Sequence, residues 1–315
     1  MARYKFGVFL PFYAFKAETP NEYYNHLKTI VLQCEHLGYD SVWLDDHLMY
    51  GAFPILETWT TLSALASLTT TIRLGTMVSC IQHRNPALLA KAAATLDVLS
   101  NGRLEFGIGA GVQEAEHTAY GFGFPKANTR IEQLGEALEV ITRLWTQEKA
   151  SFQGKHYTLK NAICVPNPLQ KPHPPIIVGG SGKNTLNVTA RFADKFDWGF
   201  VPSTDLYKRS LNTLNQECKT VGRDFDRIEK SAWPAGQLLV ANDKTELDSK
   251  VAMAKPANMP LEDFKKFTLS GTPNQCLERL RVYSALGVTY FMLYFADLPS
   301  NDSIRLFAGE VIGKV

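Results

Sequence analysis

The chain has little of what marks secreted, membrane-bound or nucleic-acid-binding proteins. Its five cysteines, at 34, 80, 164, 218 and 276, are scattered, and no two form a C-x-x-C pair. That pattern argues against a disulfide framework or a zinc ribbon and suits a reducing compartment. An excess of one charge is missing too. The 33 Lys and Arg against 31 Asp and Glu leave a net +2, which gives no general case for nucleic acid or a membrane surface. No apolar run reaches membrane-spanning length. The apolar start, MARYKFGVFLPFY, is too short for a signal segment with its cleavage site. A soluble, cytoplasmic protein with neither membrane nor nucleic acid as partner is expected. No short-period repeat interrupts the chain.

What is present is an alternation of short apolar segments and amphipathic stretches. The apolar segments read as strands at Phe6–Leu10, Ser41–Leu44, Ile72–Ser79, Arg103–Gly109, Pro175–Gly180, Asp197–Val201, Gly236–Ala241 and Val288–Phe295. Helices lie between them. The first, Asn21–Leu37, repeats apolar residues at three- and four-residue steps and stops at Gly38. Another starts at Pro86, and a third at Thr272-Pro273. Strands apolar on both faces imply a parallel sheet covered by helices. Eight such units in 315 residues predict an α/β fold, a single (β/α)8 TIM barrel, over an open doubly wound sheet. Two segments break the rhythm and read as insertions. The first, about 148–174, is proline-rich with a hairpin near SFQGKHYTL. The second, about 244–267, is charged and partly helical.

On a barrel, function sits at the carboxyl ends of the strands, and several of those ends are polar or glycine-rich. VGGSGKN (178–184) places glycines and a lysine before a helix, which suits an anion such as phosphate. It is not a P-loop, because position 177 is Ile and 184 is Asn. GIGAGVQEAEH (107–117) lacks dinucleotide-fingerprint spacing but lets backbone pass close to a flat ligand. LDDH (44–47) offers an Asp–His pair for acid–base chemistry. No second His or Cys cluster has ligand-like spacing, so no metal is expected. Cys80 with His83 could be a nucleophile and base, but three-residue spacing at a strand end does not supply that geometry. An inert, buried thiol is the commoner state.

These stretches carry a family resemblance. LGYDSVWLDDH, LGTMVSCIQHRNP, LDVLSNGRLEFGIGAGVQEAEHTAYGFGFP, KPHPPIIVGGSGKNTLNVTARFAD and TPNQCLERLRVYSALGVTYFMLYF occur in order along nearly the whole chain. In them the chain resembles the bacterial luciferase-like monooxygenase superfamily, and more closely its coenzyme F420-dependent oxidoreductase branch. The resemblance implies a (β/α)8 barrel with an insertion region, a homodimer, and a deazaflavin, coenzyme F420, across the carboxyl mouth. FMN is the rival cofactor. A non-prolyl cis peptide is implied at Cys80–Ile81, with Ser79, Cys80 and Ile81 behind the ring.

The phosphate turn maps onto Gly179, Gly180, Ser181, Gly182, Lys183 and Asn184, and a second cofactor turn onto Ala110, Gly111, Val112 and Gln113. Asp46 maps to the ring region, and His47, held by Asp46, to proton handling. Arg84, Lys171 and Lys183 are candidates for the anionic tail, and His83 is expected at the rim. Some sugar-phosphate dehydrogenases of the branch carry a glutamate where this chain has Val112. Phe12, Tyr13, Tyr50, Phe53 and Trp198 are candidates for an apolar substrate wall. The implied activity is hydride transfer between the deazaflavin and a small organic substrate. The alternatives are an FMN-dependent monooxygenase and a non-catalytic flavin-binding protein.

Overall fold

The computed structural model describes residues 4–12, 19–51, 53–200 and 203–314; Tyr13 lies outside them. In chain order its strands are β1 (Lys5–Phe9), β2 (Ser41–Leu44), β3 (Arg73–Thr76), β4 (Ser79–Cys80), β5 (Leu104–Gly109), β6 (Ala150–Gln153) and β7 (Thr158–Ala162). Then come β8 (Ile176–Gly179), β9 (Lys195–Asp197), β10 (Glu229–Ala232), β11 (Gln237–Val240), β12 (Thr268–Gly271) and β13 (Tyr290–Leu293). The helices are α1 (Pro20–His36), α2 (Thr58–Leu68), α3 (Pro86–Leu99), α4 (Glu114–Ala119), α5 (Ala127–Thr146) and α6 (Lys183–Phe192). They continue with α7 (Thr204–Val221), α8 (Lys244–Ala254), α9 (Leu261–Phe267), α10 (Pro273–Ser284) and α11 (Asp302–Glu310). The fold class is α/β, the (β/α)8 barrel. Its eight strands are β1, β2, β3, β5, β8, β9, β10 and β13.

Local chemistry sets the helix ends. Thr19 and Glu22 form a reciprocal capping box on α1, with Pro20 in its first turn. Thr272 and Gln275 do the same for α10 ahead of Pro273. The Asn85 side chain accepts from Ala87 N at 2.9 Å and opens α3. α1 buries Tyr23, Leu27, Ile30, Val31 and Cys34 along one stripe.

The chain packs as two compact units, each built from separate stretches. In the first (Met1–Trp43, Asp197–Asn212, Glu229–Val315), β1 pairs in parallel with β2 and β13. Val8 lies opposite both Val42 and Leu293, and β13 also pairs with β10. Here β11 pairs with β12 as a separate parallel ribbon. In the second (Leu44–Phe196, Thr213–Ile228), β5 pairs in parallel with β3, β4 and β8. All six residues of β5 are buried, and Phe106 packs edge-on against Trp145 at 5.0 Å. β6 and β7 form the antiparallel hairpin expected near 150–162.

Two barrel strands lie elsewhere than expected, and the reason is the same for both. The seventh is Glu229–Ala232, not Gly236–Ala241, and the sixth is Lys195–Asp197, not Asp197–Val201. Each starts with charged residues that read as loop. Their charges are paired: Glu229 accepts from Lys5 Nζ at 2.9 Å, and buried Lys195 donates to Glu105 at 2.7 Å. A paired charge can occupy a strand that a hydropathy pattern assigns to something else. No helix among the described residues is long and apolar enough to cross a membrane.

Candidate functional site

The candidate cofactor and catalytic residues belong to the second unit. The chain leaves β2 at Leu44, and the next residues, Asp45 and Asp46, are buried. Asp46 and His47 do not touch each other as expected. The two take different partners. Asp46 receives a bidentate pair from Arg84, Nη1 to Oδ2 at 2.6 Å and Nη2 to Oδ1 at 2.9 Å. It also accepts from Cys80 N at 3.0 Å. Arg84 reaches Glu57 as well. Its guanidinium is therefore spent on the scaffold rather than offered to an anionic tail. Lys171 donates to Pro168 O, whereas Lys183 is exposed.

His47 finds Glu116 instead. Its Nδ1 lies 3.1 Å from Glu116 Oε2. Glu116 is 2% exposed and also accepts from Leu48 N and from Met49 N. Burial alone would raise the Glu116 carboxyl. The Leu48 N–H and the His47 ring outweigh it and hold the group below the usual carboxylate range. An ionised Glu116 accepts the Nδ1 proton, so Nε2 carries the lone pair of a neutral His47. The His47 side chain is 24% exposed. Sequence reasoning passed over Glu116 because the glutamate that the resemblance implies aligns with Val112, four residues earlier. The signal was its place in a short helix: Glu116 lies in the first turn of α4.

β3 ends at Thr76, and the non-proline cis peptide is Met77–Val78, not Cys80–Ile81. The glycines of the neighbouring strands explain the place. The Val78 side chain fills the space they leave: a Cβ at Gly109 would lie 2.7 Å from Val78 Cγ2, and one at Gly179 3.0 Å. Ser79 is buried and accepts from Trp59 Nε1 at 3.1 Å. Cys80 is buried, and burial, with the charges of Asp46 and Glu116 adding to it, pushes its thiol up to about 12. At neutral pH it is a thiol, not a thiolate nucleophile. Ile81 is 1% exposed. His83, expected at the rim, is buried as well. Burial keeps it below the ordinary histidine range, against the pull of Asp46 and Glu116.

The two turns differ in character. In the first, Gly111 has φ +73°, Ala110 O accepts from Arg130 Nε at 3.1 Å, and Gln113 O lies 2.7 Å from His117 Nδ1. Val112 is 80% exposed. In the second, Gly180 has φ +122° and Gly182 caps α6 with no side-chain acceptor. Ser181 is half-buried, Gly182, Lys183 and Asn184 are exposed, and Asn184 reaches Asn128 at 3.4 Å. First-turn N–H groups without a capping side chain, beside a lysine, are a donor set that fits a phosphate. Phe12 is fully buried in the first unit, while Tyr50 and Phe53 are exposed, with Tyr50 6.3 Å from the His47 ring.

Residues 4–290 match the model of the luciferase-like monooxygenase family. The chain belongs to that family. Among relatives, it is 27% identical to an F420-dependent glucose-6-phosphate dehydrogenase of Microbacterium testaceum. That match covers 96% of this chain and 97% of the relative. A protein of the same name from Kineococcus radiotolerans is 28% identical, over 91% of each. Among solved structures, an F420-dependent secondary alcohol dehydrogenase in complex with an F420–acetone adduct superposes with a TM-score of 0.81. It is 20% identical and covers 98% of both chains.

Proposed function

We propose that this chain is an F420-dependent oxidoreductase acting on a small alcohol or carbonyl compound, with His47 as its proton-handling residue. The observation that carries the reading is the His47–Glu116 pair beside a thiol held protonated. The site presents an oriented base, while Cys80, whose backbone N–H is held by Asp46 next to that base in the chain, is no nucleophile. That is the division of labour in cofactor enzymes, where the protein binds, orients and handles protons. Curated relatives over almost the whole chain are named for F420, which favours it over FMN.

The residues present fit the group. Gly179–Asn184 would hold phosphate at the start of α6, and the Ala110–Gln113 turn would pass close to a flat ring. When bound, F420 supplies a carbon centre that accepts or donates hydride. His47 Nε2 takes or returns the proton of the substrate oxygen. Glu116 keeps Nδ1 protonated and supports the positive ring that forms. Asp46 and Arg84 fix the backbone of Cys80. Val112 is exposed where some sugar-phosphate enzymes of the branch carry a carboxylate, which favours a simpler alcohol over a sugar phosphate. The family resemblance further suggests a homodimer, which sedimentation of the purified protein tests.

Fluorescence titration with F420 and with FMN, followed by turnover on a panel of alcohols and carbonyls, tests the function. F420 binding with turnover is expected. Binding of FMN alone overturns the cofactor assignment, and F420 binding without any turnover favours a non-catalytic binder.

A further inference from the structure

The fold gathers one thiol and two imidazoles that the proposed chemistry leaves unused. Cys80 comes from β4, His83 from the 3-10 turn Ile81–His83, and His117 from α4. All three are buried, and one ligating atom of each lies within 4.8 Å of the other two. Cys80 Sγ is 3.4 Å from His117 Nε2 and 3.4 Å from Gln82 Oε1.

The surroundings aim these atoms inward. His117 Nδ1 meets the Gln113 carbonyl at 2.7 Å, so Nδ1 carries the hydrogen and Nε2 presents its lone pair to the sulfur. A backbone carbonyl holding the far nitrogen is the usual orienting device of metal-bound histidine. Gln82 Nε2 donates to Gln133 Oε1 at 3.3 Å, which turns the amide oxygen toward Sγ.

His83 is the decisive residue. Its side chain is 1% exposed, yet neither ring nitrogen has a hydrogen-bond partner among the described residues. Glu116 Oε2 lies 3.8 Å from its Nε2, and Phe122 stacks on it at 5.4 Å. Buried polar atoms are rarely left unsatisfied, and one that is calls for a ligand.

We propose that Cys80, His83 and His117 form a zinc(II) site, with its fourth position open to the Gln82 amide oxygen. Sulfur and imidazole donors select zinc over the hard, oxygen-seeking cations. Donor atoms of a tetrahedral zinc centre lie roughly 3.6 Å apart, as bonds of about 2.1–2.3 Å require. Two of the six edges, from Cys80 Sγ to His117 Nε2 and to Gln82 Oε1, are already 3.4 Å, and those from His83 to Cys80 and His117 are within 4.8 Å, so small side-chain movement brings His83 into place. On binding, the Cys80 S–H bond breaks, a Zn–S bond forms and one proton leaves to solvent, with no change of oxidation state. The site borders the Ala110–Gln113 turn: a Cβ at Gly111 would lie 2.8 Å from Cys80 Sγ and 3.2 Å from His117 Nε2. Bound zinc clips that turn between β4 and α4.

The full-length protein, stripped with chelator, is titrated with Co²⁺ and then with Zn²⁺ in competition. One Co²⁺ per chain is expected, with a thiolate-to-metal charge-transfer band, loss of the band when Zn²⁺ is added, and a raised melting temperature with Zn²⁺. His83→Phe keeps the ring against Phe122 and is expected to weaken Zn²⁺ binding about 100-fold or more. Cys80→Ser is expected to abolish the charge-transfer band. Wild-type protein without the band overturns the site, as does a folded His83→Phe that binds Zn²⁺ like wild type. Should either variant fail to fold, the wild-type Co²⁺ spectrum decides.

Discussion

Asp46 and Glu116 are both buried carboxylates that meet the segment following β2, and they have been given opposite partners. Asp46 faces a guanidinium, which stays charged at any ordinary pH. Glu116 faces an imidazole, whose ring nitrogens can either donate or accept. The first pair is a fixed strut: it ties the end of β2 to Cys80 N and to the start of α3. The second is a pair whose proton can move. The same side-chain chemistry is structure in one place and reactivity in the other, and the counter-group makes the difference.

Breaking the strut is expected to have the largest effect. Asp46→Ala strands Arg84 in a mostly buried position and removes the acceptor of Cys80 N. Losing one partner of a buried pair typically costs about 3–5 kcal/mol. Glu57 remains bound to Arg84, so the lower end, about 3 kcal/mol, is expected here. Urea denaturation measures it. A loss below about 1 kcal/mol, the range of surface pairs, would show that Asp46 is no strut.

Glu116→Gln sharpens the comparison from the other side. The amide still accepts from Leu48 and Met49, but its NH₂ now faces His47 Nδ1 and selects the wrong tautomer. Turnover is expected to fall about 100-fold, equivalent to about 2.7 kcal/mol, with F420 affinity within roughly tenfold. His47→Ala is expected to show the same split. A variant of either residue with turnover near wild type removes the pair from the mechanism. Equal loss of turnover and F420 affinity would make the pair part of binding instead.

The fold was legible where burial and hydrophobicity coincide. β1, β2, β5 and β13 read directly as apolar runs, and α1, α3 and α10 announced themselves through caps and prolines. It was illegible where a charge is buried with its partner, because Lys195 needs Glu105, ninety residues away, to be read as core. The site divides the same way. Gly179–Asn184 could be found because glycines before a helix carry their meaning locally. The role of Asp46 could not, since the claim on it comes from Arg84. The true partner of His47 lies 69 residues further on. The cis bond was misplaced for a related reason: what fixes Met77–Val78 is room made by Gly109 and Gly179, on two other strands. His83 looked like a rim residue because its neighbours in sequence, Gln82 and Arg84, are polar, whereas the fold turns it inward.

A second pair of buried acids extends the comparison and gives the smallest predicted effect. Glu105 in β5 has two cations, Lys195 and Arg73, which outweigh burial and hold its carboxyl below the usual range. Among the described residues the donors to Asp197, at the end of β9, are neutral: Ser231, Trp233 Nε1 at 3.0 Å and Gly199 N at 2.6 Å. Burial dominates there and raises it. The signs of the linked stabilities are therefore opposite. Glu105 contributes stability that is present above the unfolded carboxylate pKa and lost as pH falls toward its lowered folded value. Folded Asp197 holds its proton more tightly than the unfolded chain does. As pH rises from about 4 through its raised folded value, the protein loses stability on its account. Asp197→Asn cannot ionise. Its oxygen can keep the Gly199 and Trp233 donors, and its NH₂ can donate to Ser231 once that hydroxyl rotates. Near pH 4 the variant is expected within about 0.5 kcal/mol of wild type, rising to a gain of no more than about 1 kcal/mol near pH 7. Melting curves of both proteins across that range give the difference directly. A difference that is flat, or that favours wild type as pH rises, would mean that Asp197 stays ionised without a cation, and that the counter-group does not decide the state of a buried acid in this fold.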